Sequence, residues 1–274
     1  MNFENVVFAG GGNRCFWQAG VWQTIETHLD AAPKNIASVS AGAAISCALF
    51  SNRFNAVFDT TLKVMTDNKK NRYWKNLFNS KPIHPHNHLY RYIIETAIDQ
   101  EGLNALQQGP KNHILVAHIP SWLGPKSATL IGISAYQLEK KLFHPVHPKS
   151  GKALGFKSEF IKVQDCQTVN DLCNLIISSS CTPPFTPLMY QSGKAVLDGG
   201  IIDNIPVHGV SHFPGRTLVL CSRPYDNLPK ITERIYLAPS KPVAVSSWDY
   251  TNPEAIRDTY QQGKEDALSF LESL

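Results

Sequence analysis

The stretch Ile36-Ala37-Ser38-Val39-Ser40-Ala41-Gly42-Ala43-Ala44-Ile45-Ser46-Cys47-Ala48-Leu49 organises the reading of the whole chain. An apolar run enters it, a turn of small residues carries a central serine, and an alanine-rich segment leaves it. Small side chains at 38, 41 and 42 suit a sharp strand-to-helix turn that larger ones would block. Such a turn lifts the Ser40 hydroxyl clear of the backbone. It also aims the free N–H groups of a helix N-terminus at whatever the serine attacks. The pattern is that of a nucleophile elbow, G-x-S-x-G, with Ser38 where the first glycine is expected. Serine is small enough for that place. By itself the motif has a plainer reading: an alanine-rich helix packed on a strand, with Ser40 as its cap.

Upstream, Val6-Val7-Phe8-Ala9 reads as a short buried strand running into Gly10-Gly11-Gly12-Asn13-Arg14. An apolar-periodic helix follows from Phe16 to Glu26, and a strand over Ile36 to Val39 leads into the elbow. Strand, helix, strand and helix in so short a stretch imply a parallel α/β sheet with right-handed crossovers. The glycine loop admits two meanings. As a dinucleotide phosphate cradle it fails the pattern: Cys15 stands where the third glycine belongs, and no acid follows the second strand. As an oxyanion site it would turn backbone N–H groups inward toward a developing negative oxygen, with Arg14 adding positive charge or fixing the loop.

Downstream, Leu89 to Ile98 is an amphipathic helix, His113 to Ile119 an interior strand, and Ala128 to Phe143 a helix ending at His144-Pro145. Phe160 to Val163 reads as a further strand. Thr168 caps a helix running to Ser178, and the proline-rich Ser180-Cys181-Thr182-Pro183-Pro184-Phe185 region rigidifies the loop after it. Ala195-Val196-Leu197 delivers Asp198 to a strand end, followed by Gly199-Gly200, where backbone approaches closely. Arg216 to Cys221 and Arg234 to Ala238 look like two more strands, and Asn252 with Pro253 starts a last helix. Residues 51 to 112 say little else. Tyr73, Trp74 and Phe78 suit an acyl pocket or a lipid-facing lid, with half-buried packing the plainer account. The spacing of His84, His86 and His88 tempts a metal reading, but Pro85 breaks the strand it needs and no acidic or cysteine partner lies near.

The composition narrows the classes. A chain of 274 residues suits one domain, taken as 1–274, with a core that needs neither disulfide nor metal. A net charge of +4 is mild, and its densest cluster, Asn68 to Arg72, is a solvated loop in preference to a nucleic-acid patch, leaving weak attraction to anionic lipid surfaces open. The six cysteines lack zinc spacing and read as reduced, buried small hydrophobes. A glycine loop beginning at residue 10 leaves no room for a signal peptide, and no apolar run reaches membrane-spanning length. The expectation is a cytoplasmic protein in at most transient, peripheral contact with membranes.

Glycine loop, elbow serine and strand-end Asp-Gly-Gly fall at corresponding places of one sheet. Phe8-Ala9-Gly10-Gly11-Gly12-Asn13-Arg14, Ser38-Val39-Ser40-Ala41-Gly42, Ser180 to Phe185 and Asp198-Gly199-Gly200-Ile201-Ile202-Asp203-Asn204-Ile205-Pro206 together resemble the patatin-like phospholipase family. Asn252 to Arg257, continuing through Gly263, is similar to that family's C-terminal helix. The resemblance implies a three-layer α/β/α fold with a mostly parallel central sheet. It also implies a Ser–Asp dyad without histidine or metal: Ser40 the nucleophile, Asp198 the base, and Gly10, Gly11, Gly12 and Arg14 the oxyanion site. The substrates it implies are lipid esters such as phospholipids or lysophospholipids, with no cofactor. The chemistry stands apart from the resemblance, because a neutral serine needs a base within hydrogen-bond reach. Three rivals remain: a Ser–His–Asp triad using His208 or His212 after Asp198, a phosphate-binding module built on Gly10 to Arg14, and a catalytically silent scaffold.

Overall fold

A computed structural model describes residues 2–78, 82–143, 146–148 and 150–274. The strands are β1 (Asn5–Phe8), β2 (Asn35–Val39), β3 (Lys111–His118), β4 (Lys157–Lys162), β5 (Met189–Gln191), β6 (Lys194–Asp198), β7 (Thr217–Leu220) and β8 (Arg234–Leu237). The helices are α1 (Phe16–Leu29), α2 (Ala41–Phe50), α3 (Phe54–Asp67), α4 (His86–Ala97), α5 (Gln100–Gln108), α6 (Pro125–Phe143), α7 (Ser150–Ala153), α8 (Val169–Ser179) and α9 (Pro253–Glu272). The strands form one mixed, mostly parallel sheet in the order β5-β6-β3-β2-β1-β7-β8, with β4 also on β3. Helices cover both faces, giving the expected α/β/α layering.

The central strands are buried on both sides, so they read as continuous apolar runs. Val6, Phe8, Ile36, Ile114, Val116, Leu218 and Leu220 enter the larger core with α1 to α5, α8 and α9. Val7, Ala37, Val219 and Cys221 face the other way, into a smaller cluster. That second layer is thinner, with α6 and α7 as its helices beside Phe156 and Ile201. All six cysteines are free and buried.

Several expectations are met at the ends of elements. Thr168 and Asp171 form a reciprocal capping box at the start of α8, and the Asn252 side chain accepts from the Ala255 N–H at the start of α9. Others need correction. Helices α3 and α5 and strand β5 were not anticipated, α6 begins earlier than Ala128, and its end at His144-Pro145 lies outside the described residues. The strand read at Phe160–Val163 runs over Lys157–Lys162, antiparallel to β3. Half-buried packing does not hold for Trp74 and Phe78, which stand 59% and 93% exposed.

The register around β3 positions the site. Strand β2 pairs with β3 as far as Val39 opposite Leu115. Strand β6, antiparallel, pairs from His118 down to Asp198 opposite Val116. Because β4 occupies the other edge of β3 over the same residues, β2 and β6 share one edge and meet head-on. The residue after Val39 therefore comes beside Asp198.

Candidate active site

Ser40 is the first residue beyond β2 and the N-cap of α2, at φ 55° and ψ −134°. A non-glycine residue held there carries strain of about 1–3 kcal/mol, sustained by its surroundings. Three features hold it. The Ser40 N–H donates to Ser179 Oγ at 2.8 Å, and Ser179 Oγ donates in turn to Leu115 O at 2.6 Å. Gly42 leaves no room for a side chain, since a Cβ there would lie 2.5 Å from Ala9 O. Ser38, the departure from the elbow pattern, is fully buried and donates to Asn112 Oδ1 at 2.9 Å. Asn112 Nδ2 then donates to Ser46 Oγ at 2.9 Å, and Ser46 Oγ to Ala43 O at 3.0 Å. This network ties the strand before Ser40 to the helix after it.

Ser40 Oγ donates to Asp198 Oδ2 at 2.7 Å. Asp198 Oδ1 accepts the Gly200 N–H at 2.7 Å, and Thr182 Oγ1 lies 3.5 Å from Oδ2. Burial pushes the Asp198 carboxyl up to about 6, with the three hydrogen bonds pulling the other way. A carboxylate with such a pKa is a stronger base than a solvated one, yet remains ionised near neutral pH.

Gly11, Gly12 and Arg14 line the same cavity as Ser40 and Asp198. Gly10 departs from the expected role. Its N–H donates to Asn204 O at 3.0 Å, and its carbonyl accepts from Asn204 Nδ2 at 2.9 Å and Ser222 Oγ at 2.6 Å. Gly10 therefore anchors the loop, and Gly11 and Gly12 are the loop glycines that border the cavity. Arg14 Nε donates to Gly11 O at 3.1 Å, and burial lowers the guanidinium's pKa. A charge held against desolvation in this way is stabilised when an anion forms beside it.

Two cavities meet at Ser40. One is apolar, walled by Phe16, Ile45, Val57, Ile93, Ile94 and Ile98. The other is the more polar mouth that holds Asp198, Arg14, Tyr136 and Gln137. Neither His208 nor His212 lines either cavity. His208 is exposed and borders a separate recess with Asp203 and Lys152. His84 and His86 pack against Phe185, and His86 Nε2 hydrogen-bonds with Trp248 O.

The signature of the patatin-like phospholipases matches residues 6–211, three quarters of the chain, and includes every residue of this site named so far except Ser222 and Trp248. The chain belongs to the patatin-like phospholipase family. That family is one of lipid acyl hydrolases. No curated protein matches in sequence. In three dimensions this patatin-like chain is similar to VipD from Legionella pneumophila, at 12% identity and a TM-score of 0.47, over 99% of this chain and 67% of that one. Sequence reasoning assigned no role to Ser179, Asn112 or Ser222. Asn204 was visible within the Asp-Gly-Gly motif of this patatin-like protein, but its bond to Gly10 spans far too much chain to be read from spacing.

Proposed function

We propose that the protein is a serine lipid acyl hydrolase that cleaves carboxylic esters of phospholipids or lysophospholipids through a Ser40–Asp198 dyad. The observation that carries this reading is the 2.7 Å hydrogen bond from Ser40 Oγ to Asp198 Oδ2, at the point where an apolar and a polar cavity join. An acyl chain suits the apolar side and the head group the polar side.

In the first step the Ser40 O–H proton passes to Asp198 as Oγ bonds to the ester carbonyl carbon. The carbonyl oxygen becomes an oxyanion, stabilised by the Gly11 and Gly12 amides beside Arg14. Each such donor is worth roughly 3 kcal/mol in comparable sites. The carbon–oxygen bond to the alcohol then breaks, and Asp198 returns the proton to the departing oxygen. Water, deprotonated by Asp198, attacks the acyl-enzyme; the fatty acid leaves and Ser40 recovers its proton. No histidine enters the cycle.

A panel of soluble and lipid esters, run with the purified protein and a fluorophosphonate probe, tests the reading. Ester cleavage with covalent labelling of Ser40 is expected. Ser40→Ala and Asp198→Asn each lower kcat at least about a thousandfold, and His208→Ala with His212→Ala changes little. Labelling without turnover, or activity that survives Asp198→Asn, would sink the dyad.

A further inference from the structure

Large apolar side chains stand in water on two segments that adjoin the mouth of the site. On the short turn Trp74–Phe78, Trp74, Leu77 and Phe78 are 59%, 60% and 93% exposed, and on α6 Leu130 is 70% exposed. These positions are linked by contacts. The chain after the turn brings His84 onto Phe185, with ring centres 4.6 Å apart, and Phe185 stacks on Trp248 at 4.7 Å. Phe185 and Trp248 both line the mouth. On the other side, Pro183, Pro184 and Pro187 form with Leu130 and Ile133 an apolar groove open to solvent, and Ile133 reaches the mouth as well. The turn and α6 thus adjoin the walls of the cavity, one through His84 and Phe185 and the other through Ile133.

The charge on this rim is mostly positive, with Asp249, bonded to Asn71, as the acid beside Trp248. No Asp or Glu lies between Asp67 and Glu95, nor between Glu101 and Glu139, although the chain has 22 acidic residues. Those two stretches supply both flanks of the mouth. The first carries Lys69, Lys70, Arg72 and Lys75 around the exposed turn, with Arg72 6.0 Å from the Trp74 ring. Lys126 lines the groove. A second copy of the chain would oppose cations with cations across a self-paired interface. A surface that is apolar, aromatic and basic together matches an anionic bilayer, where rings settle at headgroup depth and cations meet lipid charge.

We infer that this rim docks the mouth of the site onto an anionic lipid bilayer. Trp74, Leu77, Phe78 and Leu130 enter the headgroup layer, and Lys69, Lys70, Arg72 and Lys75 meet its negative charge. The choice of lipid rests on the lipid-ester reading of Ser40, and binding is therefore measured separately from turnover.

The test is sedimentation of the full chain carrying Ser40→Ala with phosphatidylcholine vesicles, alone or containing phosphatidylglycerol. Partition onto the anionic vesicles is expected, weakening as salt rises. Combining Trp74→Ser, Leu77→Ser and Phe78→Ser lowers partition at least about tenfold, and each of Lys70→Ala and Lys75→Ala about fivefold. In the Ser40-containing protein the same rim substitutions leave hydrolysis of a soluble short-chain nitrophenyl ester unchanged. Absence of partition, or partition indifferent to the rim substitutions, overturns the inference. So does a dimer in solution that the rim substitutions dissolve. Docking that persists in a protein unable to cleave any ester sustains this inference while the hydrolase reading fails.

Discussion

Asp198 sits where its protonated form is favoured, because burial raises its carboxyl from the ordinary 3.8 to about 6. Below pH about 4 both folded and unfolded chains hold the proton and the residue is neutral to stability. Between about 4 and 6 only the folded chain holds it, so stability falls as pH rises. Above 6 the full penalty is present, up to about 3 kcal/mol at 1.36 kcal/mol per pKa unit. Asp198→Asn keeps an acceptor for the Gly200 N–H and removes the buried charge. At pH 8 its melting temperature should exceed that of the unsubstituted protein by several degrees, at about 2–4 °C per kcal/mol, and the gap should close by pH 4. A gap of constant size across that range would refute the assignment. The same titration sets an acid limb in kcat/KM: activity on a soluble ester should rise with pH and level off above about 6. Ser38 makes a different prediction. Ser38→Ala leaves Asn112 Oδ1 without its donor in a dry interior, a loss of about 1–3 kcal/mol readable in urea unfolding.

Among the elements, α1 and α9 pack backbone against backbone at two glycines. A Cβ on Gly263 would lie 2.1 Å from Trp17 O, and one on Gly20 2.1 Å from Tyr260 O. Gly263→Ala should therefore push the helices apart and cost about 1–3 kcal/mol, measured by thermal melting. Gly124→Ala, where an added methyl meets nothing within 4 Å, should change stability by under about 0.5 kcal/mol. These glycines show why an element can be legible when its partner is not. The last helix announces itself through Asn252, Pro253 and Glu254, all within one turn. That it lies against α1 depends on two glycines 243 positions apart in number (263 − 20). Helix α3, by contrast, shows its amphipathic face in Phe54, Val57, Thr61, Leu62 and Met65, all buried. It escaped the sequence reading because no capping side chain opens it.

For the whole molecule, the consequence lies in two cavities that join at one hydroxyl. If the apolar one receives the acyl chain, narrowing it should shorten the chains accepted. Ile94→Phe, deep in that wall and 2% exposed, should lower kcat/KM for long-chain nitrophenyl esters at least about tenfold, the scale of a hydrophobic-pocket mismatch. Short-chain esters should be cleaved within about twofold of the unsubstituted rate. Equal losses for both would place the chain elsewhere. The described residues contain no helix long and apolar enough to cross a membrane.

The strand-to-helix turn at Ser40, the glycine loop, the caps of α8 and α9 and the α/β alternation were legible in the sequence. Each is set by residues within a turn or two of one another, where sterics and local hydrogen bonds decide. The tertiary structure alone decided that β6 runs antiparallel and meets β2 end to end on one edge of β3. It alone gave Gly10 to Asn204 and Ser38 to Asn112, and left Trp74 and Phe78 in water. Those outcomes depend on strand register and on contacts between distant segments, which no local pattern of side chains encodes.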